Sequence, residues 1–474
     1  MNHLYKCILV FIVLSIVFYT NFSGHYNKMP MHVDSWQVIS KADYILKQEK
    51  IMPDEPFSNL ESNYPRGSPL FLAVLASITN WHIVSIELIS LSQFLPALFN
   101  VILALLLYLF SKALFKNEMA SLAVMAFTPL AISNITMLGI FYLVPVAFGM
   151  LLCYLFFSFL VRKNWIFAFL AFISILVTHN SSLAFASVAF LLYFIFNREN
   201  RRKLKYLLIV LGIGFLGFIL TRGLEYTMNL IPMLFVFEKS KPYFSVYLTL
   251  SISFIVLTAI GIYLILSRER QARTFLIPLF AFLAINALTY WHFQGIFLVY
   301  RRLYVFLYSL LPFFVGYSVW FICSRIENIG NRFSFVKKYH LILLIFFLIL
   351  IPVAIQLNIK EYQRSYQYVS KTEHELFRQF GENYPNNYLV ADHLESFALP
   401  YYSIKPVVLS PMHGVNTTYF RETISCFTKR DIKCFEDFFN RTEFKYLYTS
   451  TYVNSTKFEP FLNYKDRIIY KFVE

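Results

Sequence analysis

The feature that most constrains this chain is a series of long apolar segments. An apolar stretch of roughly 17–25 residues is long enough to cross the hydrocarbon core of a bilayer as a helix. About eleven such segments lie along the sequence, at residues 7–22, 86–115, 119–136, 140–161, 165–177, 183–196, 204–221, 244–266, 275–291, 303–323 and 339–357. Because a backbone in lipid must satisfy its own hydrogen bonds, each segment predicts a transmembrane α-helix. The pair at 165–177 and 183–196 is short enough to form two tilted helices or a re-entrant feature instead.

The composition fits a mainly α-helical, polytopic membrane protein. Hydrophobic residues make up 58% of the 474 residues and charged residues only 15%, unlike the average soluble domain. The net charge of +15 does not indicate a nucleic-acid partner, because the basic residues form short clusters between apolar segments. By the positive-inside rule, these clusters place the N-terminus in the cytoplasm, and residues 24–68 and those after 357 outside. We expect an integral protein of the plasma membrane.

The pattern predicts a transmembrane domain at residues 1–358 that includes an outer loop at 24–68. At 69–81 an apolar segment follows that is too short to span, which predicts a helix lying in the membrane interface.

The remaining residues, 359–474, predict a small extracytoplasmic α/β domain. Charged residues alternate there with helical segments and with short β-type runs at 388–391, 406–409, 445–448 and 467–472. Cys426 and Cys434 lie in this domain, and their spacing leaves both a disulfide and two free thiols open.

A carboxylate stands where the chain leaves the first apolar segment. The residues there are His32, Val33, Asp34, Ser35 and Trp36. The outer loop that follows ends in Tyr64, Pro65, Arg66, Gly67, Ser68, Pro69 and Leu70.

This arrangement resembles the GT-C type membrane glycosyltransferases, the class of oligosaccharyltransferases, protein O-mannosyltransferases and aminoarabinose transferases. The resemblance covers about residues 7–161. It rests on an amino-terminal span, an Asp just outside it, an outer loop closing in Tyr-Pro-x-Gly-x-Pro-Leu, and the run of spans that follows. It implies inverting transfer of a sugar from a polyprenyl-phosphate (dolichyl-type) donor to a protein, lipid or glycan acceptor. It also implies that Asp34 contacts the acceptor and serves as, or assists, the base.

The residue types agree with this chemistry. Inverting transfer from a phosphate needs a carboxylate to take the acceptor's proton and a cation to neutralise the departing phosphate. Arg301 and Arg302 stand at the outer start of the tenth segment, against the positive-inside bias, and a guanidinium binds phosphate oxygens bidentately. Contact with lipid headgroups, or an ion pair with a loop carboxylate, is the alternative for the two arginines.

Further candidate substrate-binding residues are polar or aromatic side chains of the outer loops and the outer ends of segments. They are His32, Trp36, Tyr64, Arg66, His179 and His292. Trp36 is predicted to stack on a sugar or isoprenoid. His32 could orient the substrate or ligate a metal, and His179 is either a cavity residue or a structural histidine with satisfied hydrogen bonds.

A second carboxylate is harder to identify. Asp54, Glu55 and Glu61 lie in the first outer loop and could supply it, with ordinary loop solubility as the alternative. The loop at 133–142, where many members of the class carry a second acid, has none. The sequence therefore leaves open whether a divalent metal, Mg²⁺ or Mn²⁺, takes part.

Two other functions use the same features. A transporter or flippase of a lipid-linked anion would use the arginines without chemistry, but transporters usually show intramembrane charges and paired halves. A glycan polymerase or ligase would carry its large outer loop late in the chain, whereas here that loop comes early and carries Asp34. The order of features favours the transferase.

Overall fold

Helices dominate the computed structural model, which describes residues 3–25, 29–30, 33–50, 67–78, 86–128, 142–197, 252–292, 300–330, 369–392, 395–407, 417–450 and 452–473. The helices are α1 (His3–His25), α2 (Val33–Gln48), α3 (Gly67–Ile78), α4 (Ile86–Phe115), α5 (Glu118–Ala126), α6 (Pro145–Val161), α7 (Trp165–Thr178), α8 (Asn180–Phe196), α9 (Ile252–Arg268), α10 (Arg270–His292), α11 (Tyr300–Gly330), α12 (Lys371–Asn383), α13 (Thr417–Lys429) and α14 (Ile432–Asn440). The strands are β1 (Tyr388–Leu389), β2 (Lys405–Pro406), β3 (Tyr446–Thr449), β4 (Phe458–Tyr464) and β5 (Arg467–Phe472).

The chain forms two compact units. The helical unit comprises Met1–Gly24, Pro96–Phe141 and Val146–Tyr362. The mixed unit comprises His25–Leu95, Tyr142–Pro145 and Gln363–Glu474. The mixed unit therefore includes His25–Leu95 together with the C-terminal region, whereas the sequence predicted residues 359–474 as a domain of their own.

Most of the predicted spans that fall on described residues are helices. α4 matches the predicted segment 86–115 at both ends. Leu88–Phe115 and Leu303–Arg325 are, among the described residues, the helices long and apolar enough to cross a membrane by length and composition, and several apolar helices are shorter. The predicted spans 204–221 and 339–357 lie outside the described residues.

Two predicted segments include described residues that are not α-helical. Segment 119–136 was predicted as one span, but α5 ends at Ala126, and the chain turns at Phe127 just before Pro129. Proline disfavours the α-helical conformation at the residue before it, here Thr128, so an α-helix is not expected to continue through this position. Segment 140–161 becomes helical only at Pro145, a residue that suits the first position of a helix because no N–H bond is lost there.

Aromatic rings form much of the core of the helical unit. The ring of Phe110 on α4 lies 5.2 Å from that of Phe275 on α10 and 5.3 Å from that of Phe313 on α11, measured between centroids. The buried Tyr154 hydroxyl on α6 donates to the Ser309 carbonyl of α11 at 2.8 Å, so this polar group is satisfied.

α11 passes unusually close to two neighbouring helices. A Cβ atom built on Gly261 of α9 would lie 2.1 Å from the carbonyl oxygen of Phe314. One built on Gly316 would lie 2.6 Å from the Cα of Val124 on α5. Small residues allow such backbone contact between membrane helices, and at these two positions only glycine fits.

Two small sheets lie in the mixed unit. β1 and β2 pair in parallel, and β3, β5 and β4 form an antiparallel sheet in that order. The predicted β-type runs overlap β1, β2, β3 and β5, but β4 was not predicted. β4 contains Pro460, and its pairing with β5 shifts register between Pro460 and Leu462, because proline breaks the ladder of a regular strand.

The mixed unit has its own hydrophobic core. Phe435, Phe438 and Phe439 of α14 pack with Leu447 and Tyr470 of the antiparallel sheet. Cys426 and Cys434 form a disulfide between α13 and α14, with their Cα atoms 5.4 Å apart. The structure thus selects the disulfide from the two alternatives that the spacing left open.

Candidate active site

Asp34 lies in the first turn of α2, which begins at Val33. Its side chain is half-buried. The first turn of a helix has N–H groups without intrahelical partners and a partial positive charge, which makes it a favourable position for an acidic side chain. A carboxylate held on a rigid element with part of its surface open suits a general base. The catalytic role of Asp34 stays a prediction.

Trp36 is fully buried, with 0% of its surface exposed. Its ring centroid lies 5.9 Å from that of Tyr401 and 6.1 Å from that of Tyr402, both in a short 3-10 turn at Leu399–Tyr402. The indole therefore packs against two tyrosines, which differs from the predicted stacking on a sugar. Because no ring surface is open in this conformation, the structure supports a packing role for the ring.

Farther along α2, a second acidic residue is buried beside a lysine. Asp43 Oδ2 lies 2.6 Å from Lys47 Nζ. Burial raises the pKa of the Asp43 carboxyl, and Lys47 partly opposes this. The sequence did not single out Asp43, although an acid and a lysine four residues apart on a helix are a readable signal.

The two predicted phosphate-binding arginines fall at the start of a long helix in the helical unit. Arg301 and Arg302 follow Tyr300 in the first turn of α11, which has 31 residues. His292 is the last residue of α10. For these three residues the structure describes the backbone positions.

Several predicted site residues lie outside the described residues. They are His32, Tyr64, Arg66, Asp54, Glu55 and Glu61. Among the residues that the structure does describe, no group of three or more His, Cys, Asp or Glu side chains is arranged to hold a metal ion.

His179 separates α7 from α8 and caps the second of these helices. Its Nδ1 accepts a hydrogen bond from the Ser182 backbone N–H at 3.2 Å and lies 2.9 Å from the Ser182 hydroxyl. An imidazole nitrogen that accepts an N–H carries no proton, so the neutral ring holds its hydrogen on Nε2. This geometry supports the structural alternative for His179, and binding of substrate there stays a prediction.

A buried carboxylate that the sequence did not indicate lies in the mixed unit. Glu373 Oε2 accepts the Ser370 N–H at 2.6 Å, while the Ser370 hydroxyl accepts the Glu373 N–H, forming a capping box for α12. Glu373 Oε1 accepts the Tyr448 hydroxyl, and Arg467 Nε lies 3.6 Å away. The Ser-x-x-Glu spacing could have shown the capping box, but not the two distant partners.

Glu395 is a second carboxyl of the mixed unit, and the charge of Glu373 acts on it. It lies in the 3-10 turn Glu395–Phe397, which contacts α2. Burial, and secondarily the charges of Asp392 and Glu373, raises the pKa of Glu395 from 4.5 to about 8, against an opposing effect of Arg467. Glu395 is therefore a protonated, neutral acid near pH 7.

We expect Glu395→Gln to remove a pH dependence of folding. Because the pKa of Glu395 is raised in the folded state, the folded protein keeps a proton that the unfolded chain releases between about pH 4.5 and 8. Wild-type stability should thus fall by up to about 1.4 kcal/mol per pH unit from this group, and the variant should lack that slope. Thermal unfolding of the full-length protein across this range tests it, with the exposed Glu382→Gln as control. A difference between variant and wild type that stays constant with pH would contradict the assignment.

The chain matches solved structures of two other proteins over nearly its whole length. The oligosaccharyltransferase of Archaeoglobus fulgidus, tethered to an acceptor peptide, aligns with a TM-score of 0.61 at 12% identity, covering 94% of this chain and 69% of that one. ArnT of Cupriavidus metallidurans bound to undecaprenyl phosphate aligns with a TM-score of 0.61 at 10% identity, covering 99% and 98%. The same ArnT in the apo state gives 0.57 at 12% identity.

These likenesses establish the fold. Both proteins are GT-C membrane glycosyltransferases, so the predicted GT-C fold is confirmed. No protein-family model matches the sequence, and no curated protein does. At such low identity the fold is what the comparison shows, and the activity has to be argued from the residues.

Proposed function

We propose that this protein is an integral membrane glycosyltransferase. It moves a sugar from a polyprenyl-phosphate donor to an acceptor at the outer face of the membrane. The observation that carries the proposal is the end-to-end likeness to ArnT bound to undecaprenyl phosphate, which covers 99% of this chain and 98% of that one. Almost no part of either chain is left unaligned. A full-length match of this kind supports a shared function more strongly than a match of one domain does.

Asp34 acts as the base in this proposal. Its carboxylate takes the proton from the acceptor hydroxyl or amine as the new bond to the anomeric carbon forms. The bond between that carbon and the phosphate oxygen breaks, and its electron pair leaves with the phosphate. Attack opposite the leaving group inverts the anomeric carbon.

Arg301 and Arg302 bind the phosphate in the donor and stabilise it as it leaves. Their place in the first turn of α11 adds the partial positive charge of a helix N-terminus to two guanidinium groups. Guanidinium pairs bind phosphate oxygens with strong, charge-assisted hydrogen bonds. This supply of positive charge lets the leaving group depart with a metal ion or without one.

The acceptor is a protein, lipid or glycan group with a free hydroxyl or amine. The oligosaccharyltransferase was solved with an acceptor peptide and ArnT with undecaprenyl phosphate. We base the proposed donor on the ArnT structure with undecaprenyl phosphate. We base the acceptor class on the chemistry of a carboxylate base, which takes a proton from a hydroxyl or an amine.

The proposal is tested with the purified full-length protein in lipid nanodiscs. We expect a labelled sugar on undecaprenyl phosphate to be cleaved from the lipid and to appear on an acceptor in a membrane extract. In sealed vesicles, the same donor separates transfer from transport. Passage of intact donor across the bilayer, with its sugar–phosphate bond unbroken, would replace our proposal with the transporter alternative.

We expect the double change Arg301→Ala and Arg302→Ala to weaken donor binding by about 100-fold or more, because each hydrogen bond to a charged group contributes roughly 1.5–3 kcal/mol and the change removes at least two of them. The KM for the lipid-linked donor measures this. Arg325→Ala, near the other end of α11 and against the Phe321 ring, is the matched control and should leave that KM unchanged. Unaltered donor affinity in the double variant would place the phosphate elsewhere.

A further inference from the structure

Helix α2 carries, on neighbouring turns, three buried polar atoms that have no hydrogen-bond partner among the described residues. Within the described part of the chain, Trp36 Nε1, Gln37 Oε1 and Ser40 Oγ have no hydrogen-bond partner. Their residues are 0%, 7% and 1% exposed. Folded proteins satisfy nearly all buried polar groups, so three such atoms on one helix call for an explanation.

The three residues share one side of α2. Ser40 follows Trp36 by four residues and Gln37 by three, and both spacings bring side chains together on a helix surface. Gln37 in turn follows Asp34 by three residues, so this side of the helix leads back to the candidate base. α3 packs against α2, and its own buried hydroxyl, Ser68 Oγ, also has no partner among the described residues.

The kinds of atom define the ligand. The indole N–H of Trp36 only donates, the amide oxygen of Gln37 only accepts, and the hydroxyl of Ser40 does both. A group that satisfies all three must itself donate and accept, which is the property of a hydroxyl. No charged side chain is among the three, so a phosphate is poorly suited to this place. The Trp36 ring packs against Tyr401 and Tyr402, whose own ring centroids lie 5.1 Å apart.

We propose that Trp36, Gln37 and Ser40 form a hydroxyl-binding site that holds a sugar for reaction at Asp34. This inference rests on the proposed function, and it narrows the acceptor to a hydroxyl-bearing molecule, a glycan or glycolipid. Trp36 then contributes its N–H edge to the sugar while its ring packs in the core. Gln37 determines specificity by accepting a hydrogen bond from a hydroxyl next to the one that reacts.

The test measures binding directly, with simple sugars as probes. The full-length protein in nanodiscs is titrated with the methyl glycosides of glucose, galactose and mannose while its thermal unfolding is followed. We expect at least one glycoside to raise the midpoint, and its per-O-methylated counterpart, which accepts hydrogen bonds but cannot donate them, to have no effect. Gln37→Leu should weaken this response by about three- to ten-fold in glycoside concentration. Gln48→Leu, at the far end of the same helix, should respond like the wild type.

An ordered water molecule could also satisfy the three polar atoms. The glycoside titration distinguishes water from a sugar hydroxyl as their partner. If water alone fills the site, no glycoside raises the midpoint, or Gln37→Leu responds as the wild type does, and the proposal is overturned. If glycosides bind in this pattern while no donor is ever cleaved, the sugar site stands and the transferase activity fails.

Discussion

Asparagine at position 34 should reduce sugar transfer by about 100- to 10,000-fold, the usual contribution of a positioned general base. The change keeps the shape of the side chain but removes its ability to take a proton. Because Asp34 lies in the first turn of α2 and is only half-buried, the helix should form in the variant as it does in the wild type. The measurement is the initial rate of sugar release from the polyprenyl-phosphate donor, at saturating donor, together with thermal unfolding.

The control is the same change elsewhere on the same helix. Asp43→Asn removes a buried carboxylate that pairs with Lys47, and it should lower stability without lowering the transfer rate comparably. Transfer by Asp34→Asn within about ten-fold of the wild-type rate would exclude Asp34 as the general base.

The second large effect concerns folding, at Gly261 of α9. We expect Gly261→Ala to destabilise the helical unit by about 3 kcal/mol or more, the upper end for overpacked cores. The added methyl group would lie 2.1 Å from the Phe314 carbonyl oxygen, 2.6 Å from its carbonyl carbon and 2.8 Å from its Cα. These are backbone atoms of a packed helix, which cannot rotate away as a side chain can. The yield of monodisperse protein after extraction, and its unfolding midpoint, report the effect.

A bulkier change nearby provides the comparison. Ala259 is exposed on the same helix, so Ala259→Leu adds more volume than the glycine change does but meets no backbone. We expect it to fold with an unfolding midpoint close to that of the wild type. If both variants behave alike, the close approach of α9 and α11 does not limit stability.

The sequence predicted helices well where the thickness of a bilayer sets their length. α4 could be read from hydropathy alone because a membrane span must be continuous, apolar and close to a fixed length. Hydropathy failed to predict the helix ends near Pro129 and Pro145. The mean hydropathy of a segment does not show that a proline can end one helix or begin another. Strand β4 was not predicted for a related reason. It contains Pro460, and a proline in a short run is more typical of a loop than of a strand.

The sequence could indicate only those residues of the candidate site whose neighbours lie in the same short segment. Asp34 could be singled out from its neighbours in the sequence. Glu373, by contrast, accepts a hydrogen bond from Tyr448 and lies near Arg467, and no local pattern joins residues so far apart. The packing of Trp36 also depends on distant tyrosines, so its place beside Asp34 in the sequence predicted stacking on a sugar or isoprenoid instead of a core residue.

The contact of Trp36 with Tyr401 and Tyr402 has a consequence for biosynthesis. At about 5–20 residues per second, the two tyrosines leave the ribosome roughly 20–70 s after the tryptophan. During this interval Trp36 lacks the contacts that it makes with these two tyrosines in the folded protein. The mixed unit can therefore complete its fold only after nearly the whole chain has been made. A chain that ends before Tyr401 would leave Trp36 without these contacts, and apolar surface exposed in this way makes a chain prone to aggregation.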